Sequence, residues 1–258
     1  MSLKKLTIFD FDFIAANSVE EVVRDIIDTS SAGNDYDFLI TPNAYQVVHF
    51  NDKRNAGLKE FYKHSSYILP DGMPIVWISK LFKNSLQKRL TGSDLFPVLW
   101  NEIKKRNKAA TLVLPTNSIA ELFQKDHTTA NCFIPEVFAA GDEGYISTFS
   151  EKVADGIVNN KSRYVFLGLG FPKQEILARQ IAEKLSKKGY EAKVLFLLLG
   201  ASFEFYFGLK NRAPVFFQRT GLEWLYRFAQ EPARLWKRYT IDNVRFLFIA
   251  IGELFKHR

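Results

Sequence analysis

Cysteine is almost missing from this chain. Of 258 residues only Cys132 carries a thiol, so no intramolecular disulfide can form and no cysteine-based metal site can be built. Histidine is nearly as scarce: His49, His64, His127 and His257 show none of the spacings that mark zinc ligands. No run of about 18 apolar residues occurs, which excludes a hydrophobic helix of membrane-spanning length. The opening residues lead into a segment interrupted by Asp10 and Asp12, and these break the apolar stretch a secretory signal needs. The expectation is a protein made and kept in the cytoplasm. Internal repeats and low-complexity tracts are absent as well.

Aromatic residues, by contrast, are abundant, with 24 Phe among them, and suit either a densely packed core or contact with lipid. The net charge of +7 is concentrated at one end. Residues 205–258 carry ten Lys or Arg against four acids, so +6 of the total sits there on a nearly neutral body. A basic tail predicts a polyanionic partner, whether phosphates, anionic lipid or nucleic acid. The last is disfavoured because no known reader module is present.

Along the body, short apolar runs alternate with helical patterns. Strands are expected at 6–11, 37–40, 110–114, 164–167 and 193–199. Helices are expected at 19–28, where Ser18 and Glu21 form a capping box, and at 55–65, 73–82, 94–106, 147–159 and 173–187. This alternation reads as α/β, a Rossmann-like, mainly parallel sheet with helices on both faces. After Gly200 the alternation stops. Pro214 and Pro232 punctuate a helical, basic and aromatic segment, which divides the chain into a core at 1–203 and an appendage at 204–258.

Parallel sheets bind ligands at the carboxyl ends of their strands, and several polar motifs fall there. Thr41-Pro42-Asn43 follows the strand at 37–40 and reads either as a ligand-binding pair or as a turn with a helix cap. Asp71, in the stretch LPDG, reads as a cap for the next helix or as a general base that takes a proton from an attacking hydroxyl. Arg89, before a helix opened by Gly92 and Ser93, is a candidate diphosphate contact. Gly168-Leu169-Gly170-Phe171-Pro172 lets backbone approach a ligand, with Gln174 and Glu175 pointing into the site. It lacks the third glycine of a dinucleotide fingerprint and is no P-loop. Asp10 and Asp12 share one strand face and read as solvated acids rather than metal ligands. In the tail, Arg227, Arg234 and Arg238 fall on one helical stripe beside Trp224, Leu225, Phe228, Leu235 and Trp236. That segment reads as an interfacial membrane helix or as a helical pair docked on the core.

Taken together, TPNAYQV, LPDGMPIV, RLTGSDL, VFLGLGFPKQE, LLGASFEFYFG and the tail RAP, GLEWLYR, EPARLWKRY resemble the WecG/TagA/CpsF family of bacterial glycosyltransferases, glycosyltransferase family 26, across roughly residues 35–245. The resemblance implies an inverting, metal-independent and cofactor-free hexosyl or N-acetylhexosaminyl transfer. The donor is a UDP-sugar and the acceptor an undecaprenyl-diphosphate-linked sugar, in exopolysaccharide or teichoic acid synthesis. It implies a peripheral protein on the inner face of the cell membrane, with the appendage helping to dock it. It assigns Asp71 as catalytic base, Thr41, Asn43, Arg89 and Gln174 to the substrate pocket, and Arg212, Arg227 and Arg234 to the diphosphates. A tail that completes a site also invites homo-oligomer formation. Two departures stand out: Pro115 and Thr116 replace a glycine-rich turn, and Glu204 replaces Asp. The first of these is the sole support for an alternative, a non-catalytic membrane-associated scaffold of a polysaccharide assembly complex.

Overall fold

A computed structural model describes residues 3–29, 36–82 and 85–256, apart from the side chains of Val215, Arg219 and Arg234. Its strands are β1 (Lys5–Ile8), β2 (Phe11–Ile14), β3 (Tyr36–Ile40), β4 (Tyr67–Ile68), β5 (Ala110–Val113), β6 (Ala130–Phe133), β7 (Tyr164–Leu167) and β8 (Val194–Leu198). The helices between them are α1 (Val19–Thr29), α2 (Ala44–Phe50), α3 (Ala56–Tyr62), α4 (Met73–Ser79), α5 (Gly92–Lys105), α6 (Asn117–Asp126), α7 (Glu143–Asn160) and α8 (Lys173–Lys187). After β8 come α9 (Ser202–Tyr206), α10 (Val215–Thr220), α11 (Glu223–Gln230), α12 (Pro232–Lys237), a π-helical turn (Arg238–Asp242) and α13 (Asn243–Lys256).

The eight strands form one sheet in the order β1-β2-β4-β3-β8-β7-β5-β6, parallel except for the β1–β2 pair. Alternate residues of each central strand enter opposite cores, as the period of two requires. Phe38 and Ile40, with Val165, Leu167, Phe196 and Leu198, pack under α2, α7 and α8. Leu39, Tyr164, Phe166, Leu195 and Leu197 face the other way, towards α1, α5 and α6. Helices therefore cover both faces. The expected α/β, Rossmann-like, mainly parallel architecture with a helical C-terminal segment is what the chain adopts.

One expected strand divides. Residues 6–11 form a hairpin, with Ile8 paired to Phe11 and Phe9-Asp10 as a two-residue loop at φ 58° and 64°. Such loops need positive φ at both positions, which usually selects glycine or asparagine. Phe9 accepts the strain because its ring packs 5.4 Å from that of Phe246 on α13, and its N–H donates to Glu253 Oε1 at 2.8 Å. Asp10 thus lies at the loop, not on a strand face. Lys59 holds it at 2.6 Å and Lys256 at 3.5 Å, and these cations keep its carboxyl below the usual carboxylate range. Asp12 accepts from the Thr7 hydroxyl at 2.6 Å.

The C-terminal segment returns across the core. Residues of α9 straddle position 203/204, and Phe203 packs on Phe96 at 4.8 Å. Helix α13 buries Phe246, Ala250 and Glu253 and leaves Val244, Leu247, Phe248, Ile251 and Phe255 exposed along its outer side. Among the described residues no helix is long and apolar enough to cross a membrane.

Candidate active site

Three of the sequence motifs are tied to one another by backbone. The Asp71 N–H donates to the Pro42 carbonyl at 3.0 Å, and the Leu90 N–H to that of Pro70 at 3.0 Å. The loops after β3 and β4 and the loop before α5 therefore run side by side at one edge of the strands' carboxyl ends. On the far side lie Gly168 and Gly200, after β7 and β8. A Cβ on Gly168 would meet the Phe203 ring at 2.5 Å, so only glycine lets that strand end approach α9.

Two cavities open over these loops and share a wall. The smaller, ≈ 280 Å³, is amphipathic: Met73, Pro74, Trp77 and Trp224 line it together with Arg89, Arg212, Arg227 and Arg238. The larger, ≈ 550 Å³, is floored by the strand ends and bordered by Thr41, Pro115, Gly168, Gly170, Gln174 and Lys210. Asn43, Tyr45, Asp71, Ser93, Arg227 and Arg238 border both. The volumes fall in or near the range of about 300–1,000 Å³ seen for small-molecule sites.

Asp71 occupies the partition. It does not cap α4, whose N-cap is Gly72 and which has no side-chain cap, so the capping alternative is excluded. Among the described residues no side chain hydrogen-bonds the Asp71 carboxylate. Burial pushes its pKa up from 3.8 to about 6; Arg89 and Arg227 pull it down, while Glu223 and Asp94 push it further up. A carboxylate poised there can accept a proton from a hydroxyl near neutral pH.

The cations around it are organised by internal carboxylates. Arg89 Nη1 donates to Glu223 Oε2 at 2.7 Å, and Arg227 Nη2 binds the other oxygen of the same group. Arg212 Nη1 donates to Asp94 Oδ1 at 2.6 Å. Asp94 also accepts from the Thr91 hydroxyl, and Thr91 caps α5. Arg238 lies over the Tyr45 ring at 4.7 Å. Among the described residues no three His, Cys, Asp or Glu side chains cluster as metal ligands.

The expected residues are distributed as follows. Thr41, Asn43, Asp71, Arg89, Gln174, Arg212 and Arg227 all border one cavity or both. Asn43 also caps α2, exchanging hydrogen bonds with Gln46, so its two readings hold together. Glu175 borders neither. It is sealed behind Gln174, which donates to it at 3.0 Å, and burial raises its pKa to about 7. Gln174 in turn accepts from the Gly200 N–H at 3.2 Å. The side chain of Arg234 lies outside the described residues.

The single basic stripe expected in the tail does not form. Helix α11 ends at Gln230 because Glu231 precedes a proline and leaves the helical region, at φ −134° and ψ 58°. Arg227 and Arg238 turn to the cavities, while Trp224, Leu225 and Trp236 stay exposed on α11 and α12. Sequence reading also missed Tyr45, Trp77, Asp94, Glu223 and Arg238 as wall residues. Glu223 lay in the quoted GLEWLYR stretch, and Arg238 on the basic stripe, where neither spacing nor type marked an inward position.

The model of the glycosyl transferase WecG/TagA/CpsF family matches residues 6–258. A curated relative from Bacillus spizizenii is 32% identical over 203 residues, covering 78% of this chain and 74% of its own length. One from Staphylococcus aureus is 29% identical over 231 residues, covering 89% and 84%. Both are N-acetylglucosaminyldiphosphoundecaprenol N-acetyl-beta-D-mannosaminyltransferases.

Proposed function

This chain belongs to the glycosyl transferase WecG/TagA/CpsF family, and from that premise we propose that it moves a sugar from a UDP-sugar to a polyprenyl-diphosphate-linked sugar, inverting the anomeric centre without a metal. The relatives' activity on a diphosphoundecaprenol-linked acceptor supports the acceptor class. The observation that carries the reading is the position of Asp71, a raised-pKa carboxylate in the wall between an amphipathic cavity and a polar one.

The nucleotide sugar fits the larger cavity, on the strand ends, and the lipid-linked acceptor fits the smaller one, beside Met73, Trp77 and Trp224. The Asp71 carboxylate takes the proton of the acceptor hydroxyl as its oxygen attacks the anomeric carbon. The bond to UDP breaks on the opposite face, and UDP leaves with the electron pair. Arginines in the wall offset the negative charge of the departing diphosphate, the role a metal ion plays elsewhere. Thr41, Asn43 and Gln174 orient the substrates. Glu175 acts through Gln174 as a positioning residue. The division into a core at 1–203 and an appendage at 204–258 fits the same reading, since residues after 204 supply Arg212, Arg227 and Trp224 to the acceptor side.

The exposed apolar side of α13, with Trp236 and Leu225 also exposed, supports peripheral attachment to a membrane that holds the acceptor. A pH profile tests the base. Asp71 must be ionised to act, so kcat/KM is expected to plateau above about 6 and to fall tenfold per unit below it. A rate independent of pH from 5 to 8 would remove Asp71 from the role.

A further inference from the structure

The four arginines of the smaller cavity differ in what already faces them. Arg89 and Arg227 share the Glu223 carboxylate, and Arg212 is held by Asp94. Each is ion-paired, although Arg89 and Arg227 have one carboxylate between them. Arg238 has no such partner: among the described residues no carboxylate lies within ion-pair distance of its guanidinium. Its face rests on the Tyr45 ring at 4.7 Å and lies 5.9 Å from that of Tyr239, and the group borders both cavities.

A guanidinium over a ring spends none of its N–H donors on that contact, and among the described residues the Arg238 guanidinium makes no hydrogen bond while bordering both cavities. Burial lowers the pKa of Arg238 and neighbouring Arg227 acts in the same direction, against a smaller opposing pull from Tyr239, Tyr45 and Asp71. The net direction is downward, so holding its charge there costs stability. A charge retained at a cost, with its donors unspent, is a charge kept for a ligand.

We propose that Arg238 is the residue that grips the substrate diphosphate, while Arg89, Arg212 and Arg227 chiefly hold the shape of the wall. The inference rests on the transferase reading only in taking diphosphate as the anion, a group carried by both the nucleotide donor and the lipid-linked acceptor. It differs from the sequence-based assignment, which gave that work to Arg212, Arg227 and Arg234.

The test uses the full chain and two probes, UDP and farnesyl diphosphate, with melting curves and calorimetry. Arg238→Met keeps the apolar stem on Tyr45 and removes the charge. The free variant is expected to melt about 2–4 °C above the unmodified protein. Its affinity for at least one probe should fall about 10- to 100-fold, the loss expected for a charge-assisted contact. A fall for UDP alone assigns the grip to the donor, and a fall for farnesyl diphosphate alone to the acceptor. Arg238→Lys, which keeps the charge but not the planar fork, should also bind more weakly, and it carries the test if the methionine variant does not fold. Binding of both probes within twofold of the unmodified protein would overturn the role of Arg238 and leave the transferase reading standing. If the unmodified protein binds neither probe, both fall.

Discussion

At the scale of residues, the site is built from groups held against their own preference. Asp71 is the clearest. Its carboxyl titrates near 6 in the folded chain against 3.8 ordinarily, so the native state binds that proton more tightly than the unfolded chain does. The sign follows from linkage: this contribution is fully present below 3.8 and is lost as pH rises through about 6. Asparagine has the same shape and no charge to bury. Asp71→Asn should therefore melt with the unmodified protein near pH 4 and above it at pH 8. The difference should be about 1–3 kcal/mol, limited by solvent in the cavity. Differential scanning calorimetry at the two pH values decides, and equal melting at pH 8 would contradict the burial argument. Glu175 obeys the same sign with a pKa near 7, but it faces Gln174 rather than open space.

At the scale of elements, the wall depends on a joint between the loop before α5 and the start of α11. Glu223 makes it, binding Arg89 of the core and Arg227 one turn along its own helix. Removing one member of a buried ion pair costs about 3–5 kcal/mol because the other charge is left behind. Here the figure should lie at the low end, since Arg227 is 40% exposed. Glu223→Gln is thus expected to lower the urea midpoint with little change in m. An unshifted midpoint would show that the joint is held by packing alone, for instance by Gly221 against Met73 and Trp77, where a Cβ would come within 2.8 Å and 2.9 Å.

Elements also explain how much was legible from sequence. The central strands β3, β5, β7 and β8 and helix α8 were readable because they are long enough to show apolar runs between turn residues. Strand β4 was not, since Tyr67 and Ile68 alone carry no period. The hairpin was hidden because its loop is Phe9-Asp10, whose backbone is stabilised by α13, more than two hundred residues away. Within the site, Thr41 and Asp71 were legible as polar residues closing apolar runs, and Arg89 and Gln174 as polar residues at helix starts. The inward turn of Arg227 and Arg238 was not, because it depends on the break at Glu231 and the π turn that follows.

At the scale of the whole molecule, the fold sets three surfaces in sequence: a polar cavity on the strand ends, an amphipathic cavity beside it, and an apolar outer face. Val244, Leu247, Phe248, Ile251 and Phe255 repeat at helical spacing on that face, with Phe248 69% and Phe255 70% exposed. Burying one such phenylalanine in an interface is worth about 1.5–3 kcal/mol. Phe248→Glu should therefore reduce sedimentation with anionic vesicles at least tenfold while leaving the melting temperature within about a degree. Undiminished binding would move the attachment surface elsewhere.

The central claim is that one carboxylate, set between the two cavities, activates the acceptor. The most direct measurement is transfer by Asp71→Asn to a short-chain lipid-diphosphate-sugar, with the product followed by mass spectrometry and UDP binding by calorimetry. The account predicts a rate lower by about 10²–10⁴-fold with UDP still bound. Turnover close to that of the unmodified protein would contradict it.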